Sequence, residues 1–313
     1  MRNFIVIIIV ACVFQFSCSK ERKLQKGCMD FPKSQSDLGY EYIDLYPLVR
    51  GASFNPNNSN EIVYLKYDGL FDRYLMTYNL VTDVSQVLHQ DVFNFQPKWS
   101  MKDWIVFNNT HGQLWKIKSN GDSLTQLSIN IQAWYPEWSP DGGNLIFLYR
   151  DQGIGNLRII DINGNIVEDW GALSTFWPQW SPDNTKIAFP FDKSLGWVNL
   201  NSPTETHRLR LFEDDSDDSM GNYSLDWFPD SQRLLWVNRA NSLFVTNIES
   251  DCTTKIKHGC DSKFYIAPSI SNDGTKILVT RFDSFQEENT ISTEGNIYIM
   301  DADGNNERQL NLF

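Results

Sequence analysis

The sequence predicts an all-β protein, a six-bladed β-propeller of four-stranded antiparallel blades, and three observations carry that prediction. A short segment recurs: Tyr135-Pro136-Glu137-Trp138-Ser139-Pro140-Asp141-Gly142 has imperfect copies at Pro97–Ser100, Pro178–Asp183, Asp226–Asp230, Pro268–Gly274 and Ala52–Asn57. The central residues of the copies, at 54, 99, 138, 180, 227 and 270, are spaced by 45, 39, 42, 47 and 43 residues, a period typical of blade repeats. After each copy comes a short β-branched or aromatic run, with no helical periodicity between runs.

Each repeat has the same internal order. A strand passes through the tryptophan and ends in a turn. In Ser139-Pro140-Asp141-Gly142, proline at the second position and glycine at the fourth suit a type I turn. The second strands read as continuous apolar runs, such as Leu145–Leu148, Leu234–Val237 and Lys276–Val279, as expected where both sheet faces are covered. Third strands follow, as in Asn156–Ile160 and Asn296–Met300, and turns such as Asp303-Gly304-Asn305 lead to a more polar fourth strand. The recurring tryptophan is expected to pack between neighbouring blades.

This pattern resembles the TolB-like, or WD40-like PD40, propeller repeat, whose core is Pro-x-Trp-Ser-Pro-Asp-Gly followed by an aliphatic strand. The resemblance spans about residues 50–313; the tryptophan is replaced by Phe54 in the first copy and by Ile270 in the sixth. It implies the propeller architecture and a role in binding, since members of the family include periplasmic components of envelope assemblies. Related propellers also occur beside peptidase domains and in a few lyases.

The N-terminus reads as a targeting segment: Arg2 precedes the mostly apolar run Phe4–Phe16, short for a membrane span and suited to a signal peptide. Ser17-Cys18-Ser19 then resembles the lipobox of bacterial lipoproteins, with Cys18 as the lipidated residue; Cys12 and an ordinary secretory signal are the alternatives. The expected organisation is therefore a signal peptide over 1–18, a polar tether over 19–40 and the propeller over 41–313, with Glu41–Val49 adding an outer strand that helps to close the ring. An exported chain, periplasmic or held at the outer membrane by its lipid, permits disulfides, and Cys252 and Cys260 are expected to form one. A formal net charge of −12 argues against nucleic acid as a partner.

The search for chemistry yields no catalytic constellation. There is no GxSxG elbow, and His89, His111, His207 and His258 fall at different offsets in their repeats. Asp141, Asp183, Asp230 and Asp273 are accounted for by turn chemistry. Asp301–Glu307 has a faint calcium-loop look but lacks a full ligand set. No cofactor or metal is expected.

Candidate binding residues come from what breaks the repeat. The acidic run Glu213, Asp214, Asp215, Asp217 and Asp218 and the stretch Asp283–Gly295 are long interruptions that map to one side of the ring. On the same side, Phe95, Trp134, Phe176 and Tyr223 stand four residues before the blade centres, with Tyr135 and Trp177 adjacent. They are expected around the mouth of the central channel, to anchor a protein partner or stack on sugar rings, or else to pack between blades. A non-catalytic protein-binding scaffold of the cell envelope leads these readings; a glycan-binding propeller and a metal-dependent polysaccharide lyase stand behind it.

Overall fold

The structure is a computed structural model, described over residues 41–45, 48–69, 71–93, 96–127, 131–151, 154–171, 177–191, 194–209, 220–238, 242–260, 262–287 and 290–312. The first strand, β1 (Glu41–Leu45), belongs to the last blade. Blade one holds β2 (Leu48–Asn55), β3 (Asn58–Tyr67), β4 (Arg73–Asn79) and β5 (Val84–Gln90), and blade two holds β6 (Lys98–Trp99), β7 (Trp104–Asn108), β8 (Leu114–Lys118) and β9 (Thr125–Gln126). Blade three is β10 (Ala133–Trp138), β11 (Asn144–Asp151), β12 (Ile154–Asp161) and β13 (Ile166–Asp169); blade four is β14 (Gln179–Trp180), β15 (Lys186–Phe191), β16 (Ser194–Asn199) and β17 (Ser202–Arg208). Blade five is β18 (Met220–Trp227), β19 (Arg233–Asn238), β20 (Leu243–Asn247) and β21 (Thr253–Lys257); blade six is β22 (Lys263–Ile270), β23 (Lys276–Glu287), β24 (Thr290–Asp301) and β25 (Arg308–Gln309). Each blade is an antiparallel meander in chain order, so the predicted six-bladed, four-stranded architecture is the one formed.

Burial follows the blade geometry. Second strands are sandwiched between neighbouring blades, and Leu234, Leu235, Trp236 and Val237 of β19 are all fully buried, whichever face they occupy. Fourth strands lie on the rim, and all four residues of β13 are exposed. The apolar clusters are interblade contacts. Trp138 packs with Val106 and Leu114 of blade two as well as with Leu145 and Phe147 of its own blade, and Trp227 packs with Ala188 and Leu195 of blade four.

The turns repeat a three-group device. The hydroxyl of Ser139 donates to Asp141 Oδ1 at 2.6 Å and accepts from the N–H of Asn144 at 2.9 Å. Ser181 does the same with Asp183 and Lys186, and Ser271 with Asp273 and Lys276. Gly142 closes its turn at φ +64°, where a Cβ would come within 3.2 Å of the Lys102 nitrogen. These aspartates have the turn role expected of them.

The ring closes through a divided outer position. Both β1 and β25 pair with β24, β1 in parallel at Thr290–Glu294 and β25 antiparallel at Tyr298 and Ile299. The expected outer strand thus ends at Leu45, and Leu48 and Val49 start the innermost strand of blade one instead. Asp283–Gly295, expected as a long connection, is mostly strand: β23 and β24 stay paired from Lys276↔Asp301 out to Glu287↔Thr290. Blades five and six are also clasped by Glu307, which accepts from Arg281 at 3.0 Å and lies 2.9 Å from the ammonium of Lys257.

The cysteine expectation is corrected. Cys252 carries a thiol and is not part of a disulfide, whereas Cys260 is disulfide-bonded, so no bridge joins the two. Cys252 precedes β21, and Cys260 lies beyond its other end in a tight bridge with Lys263. A strand between them keeps the two apart, which their short sequence separation concealed.

Candidate functional site

Two features mark the innermost strands, one at each end. The first lies where the innermost strands begin. The ladder of β10 with β11 shifts register between Trp134 and Glu137, and those of β2 with β3 and β22 with β23 shift at the equivalent steps. At these bulges the third residue before the blade centre has left-handed backbone: Gly51 at φ 64°, Tyr135 at 54° and Ala267 at 48°. Trp177, at the same position in blade four, has φ 55°. Tyrosine and tryptophan carry a steric cost there of roughly 1 kcal/mol each. In exchange the bulge re-aims the side chain.

The result is a stacked pair. The rings of Tyr135 and Trp177 lie 4.4 Å apart between centroids and 25° from parallel. Both are half-buried, as is Trp134 beside them, and all three belong to the predicted set. The Arg150 guanidinium lies 5.6 Å from the Trp134 ring centroid. Burial pushes the Tyr135 phenol up, partly opposed by Arg150. Trp134 and Tyr135 also pack against the apolar cluster between blades three and four, so anchoring and partial exposure coexist. Of the remaining predicted residues, Tyr223 lies on β18 with its side chain outside the described part. Phe95, Phe176, Glu213, Asp214, Asp215, Asp217, Asp218 and Cys18 lie outside the described residues altogether.

The second feature was not predicted. The residue immediately before each blade centre is polar in all six blades: Ser53, Lys98, Glu137, Gln179, Asp226 and Ser269. Lys98 Nζ lies 2.7 Å from Glu137 Oε2 and donates to Gln179 Oε1 at 3.1 Å. Asp226 accepts from the N–H groups of Trp227 at 2.9 Å and Ile270 at 2.8 Å. Burial opposes the Lys98 ammonium, but Glu137 and Asp226 together hold it above the ordinary lysine value. Burial pushes both carboxyls up, with Lys98 opposing. The sequence signal was available in the unbroken run of polar residues at this position, but it was masked by the more conspicuous tryptophans next to them.

Ser53, Lys98, Glu137, Asp226 and Ser269 of this set line a pocket of about 160 Å³, whose rim carries Pro56, Pro182 and Pro229 of the turns between first and second strands. It therefore opens on the face opposite Tyr135 and Trp177. Toward the aromatic face, buried Gln96 links blade two to the neighbouring blades one and six, its amide donating to Ala52 O at 2.6 Å and Ala267 O at 3.5 Å. Among the described residues, no group of three or more His, Cys, Asp or Glu is arranged to hold a metal ion.

No protein-family model matches the chain, and no curated protein does. Solved structures do resemble it. The protein assigned as TolB from Agrobacterium tumefaciens superposes with a TM-score of 0.59 at 17% identity, covering 74% of this chain and 86% of that one. Oligogalacturonate lyase from Vibrio parahaemolyticus gives 0.54 at 12% identity, covering 85% and 79%. A chain of the nidogen/laminin complex gives 0.52 at 10%, covering 68% and 80%. Identities this low speak for architecture and not for activity. The chain thus has a TolB-like six-bladed β-propeller fold, the one its repeats predict.

Proposed function

We propose that this protein is a binding scaffold of the cell envelope, exported and lipid-anchored through Cys18, that engages a protein partner over the aromatic mouth of its channel. The observation that carries the reading is the Tyr135–Trp177 stack. Two large aromatics from different blades are held in left-handed backbone that a residue chosen only for packing would avoid. Half-buried tyrosine and tryptophan on a rigid frame are the residue types that dominate interface energetics, because they present much area at little entropic cost. Arg150 beside Trp134 adds a cationic group to the same ledge.

Two structural neighbours bear on the class of partner. One is a chain from a complex of two proteins and one is an oligogalacturonate lyase. A flat aromatic pair also suits a sugar ring, so the glycan reading is the competitor. The test compares the wild-type chain with Trp134→Ala/Trp177→Ala in cross-linking within intact cells and in retention on a polysaccharide panel. Loss of a discrete protein adduct in the variant, with the melting temperature kept, supports the proposal. Polysaccharide retention lost in the variant would transfer the site to glycans. A large drop in melting temperature would make both residues structural.

A further inference from the structure

The disulfide at Cys260 joins the propeller to a sulfur outside it. The chain has five cysteines, at positions 12, 18, 28, 252 and 260. Cys260 is disulfide-bonded, and Cys252 is a thiol that takes no part in a disulfide. The second sulfur therefore belongs to Cys12, Cys18 or Cys28, and all three precede β1 in the chain.

Cys260 stands on a firm seat. Its N–H donates to Lys263 O at 2.7 Å, its carbonyl accepts from the Lys263 N–H at 3.0 Å, and the N–H of buried Gly259 donates to Ser242 Oγ at 2.8 Å. The connection from β21 to β22 that carries it emerges where the innermost strands begin, the end that also holds Tyr135 and Trp177. There the β23–β24 hairpin projects: β22 pairs only as far as Lys263↔Asp283, while β23 and β24 continue to Glu287↔Thr290. On one edge of the projection the Ser284 N–H donates to Ser262 O at 2.9 Å, two residues from Cys260. On the other edge Glu41, the first residue of β1, pairs with Thr290. Cys260 and Glu41 thus flank one hairpin, about 20 Å apart by strand spacing and rise. The thirteen residues from Cys28 to Glu41 reach up to about 45 Å, ample for that span.

We propose that Cys28 is the partner of Cys260, so that the N-terminal segment is fastened covalently to the aromatic end of the propeller and shortens its own membrane leash. The choice among the three cysteines rests on the export and lipid anchoring proposed above. In that reading Cys12 lies in the apolar run Phe4–Phe16 and leaves with the signal peptide, and the Cys18 sulfur carries lipid, which leaves Cys28. Forming the bond removes one proton and one electron from each thiol. The disulfide of a dithiol–disulfide exchange oxidant takes up both and becomes two thiols. With the bond in place, the chain between lipid and propeller is the ten residues from Cys18 to Cys28, at most about 35 Å. Without it the leash is the twenty-three residues from Cys18 to Glu41, about 80 Å. The bond therefore holds the end with Tyr135 and Trp177 close to the membrane.

Pairing and leash are tested separately. Tryptic digestion of the full chain without reductant should give the peptide Gly27–Lys33 joined to His258–Lys263, separating when a reductant is added, from protein that runs as a monomer on a non-reducing gel. A link from His258–Lys263 to the peptide holding Cys12 and Cys18 or to the one holding Cys252, a reducible dimer, or an unbonded Cys260 would overturn the pairing. For the leash, a cleavage site for a site-specific protease is inserted after Ser36 in the full chain. The cut propeller should stay with the membrane fraction until reductant is added, and Cys260→Ser in the same background should release it on cutting alone. Release of the bonded chain on cutting alone would overturn the leash, and the lipid anchor with it, while the peptide map still decides the pairing. Retention of the cut Cys260→Ser chain would also overturn the leash, since another attachment would then hold the propeller.

Discussion

The indole N–H of Trp138 donates to the backbone carbonyl of Lys98, one blade away, at 3.0 Å. Trp227 repeats the bond to Gln179 at 3.1 Å. Each of these tryptophans therefore ties its blade to the channel residue of the preceding blade. Trp180 sits at the same repeat position, but its indole nitrogen is buried with no hydrogen-bond partner among the described residues. Trp138→Phe and Trp227→Phe should each cost about 1–2 kcal/mol, the price of a buried carbonyl losing its donor, while Trp180→Phe should be neutral or slightly stabilising. Urea unfolding of the three variants checks this; equal losses would mean that ring volume matters and the hydrogen bond does not.

Lys98 lies between two enclosed carboxylates. Lys98→Met leaves Glu137 and Asp226 without their cation and should destabilise by about 3–5 kcal/mol. Adding Glu137→Gln should recover part of that loss. A double-mutant cycle by chemical denaturation measures the coupling, and simple additivity would contradict the ion pair.

Asp183 sets an acid-side expectation. Burial alone would raise its carboxyl, but the Ser181 hydroxyl, the Lys186 ammonium and the hydroxyl and N–H of Thr185 bring it down to about 2 from 3.8. A lowered folded value contributes stability that is present above the unfolded value and is lost as pH falls from 3.8 toward about 2. The group is mostly solvent-facing, so the effect should stay below about 1 kcal/mol. Asp183→Asn should flatten that part of the stability–pH curve and leave the rest; an unchanged slope would refute the turn assignment.

Cys252 is a thiol and Cys260 is disulfide-bonded. Iodoacetamide under denaturing, non-reducing conditions should label Cys252 and leave Cys260 unlabelled until a reductant is added, as read by peptide mass spectrometry. Cys252→Ser should change stability by less than about 0.5 kcal/mol, since the residue is half-exposed.

The architecture was legible in the sequence because every repeat writes the same local chemistry. Ser139, Asp141 and Gly142 specify a turn through contacts within a few residues, and Leu234–Val237 is apolar on both faces because a blade is covered on both sides. The aromatic pair was legible only in part. Trp134 was expected beside Tyr135 and Trp177, but the bulge that gives Tyr135 a positive φ, and so brings the stacked partners together, is a tertiary feature with no sequence marker at non-glycine positions. The channel trio was missed for a different reason. Lys98, Glu137 and Asp226 are far apart in sequence, and only ring closure brings the three charges together. The Cys252–Cys260 expectation failed because nearness in sequence was read as nearness in space.

The central claim is that the Tyr135–Trp177 ledge contacts a protein, and site-specific photo-cross-linking from Trp177 tests it most directly. With a photoreactive phenylalanine analogue at 177 in the full chain, illumination of intact cells should give a discrete protein adduct. Tyr135→Ala in the same background should reduce it several-fold, and the analogue at exposed Val84 on the blade rim should give none. No adduct from 177, or one of equal yield from position 84, would contradict the account.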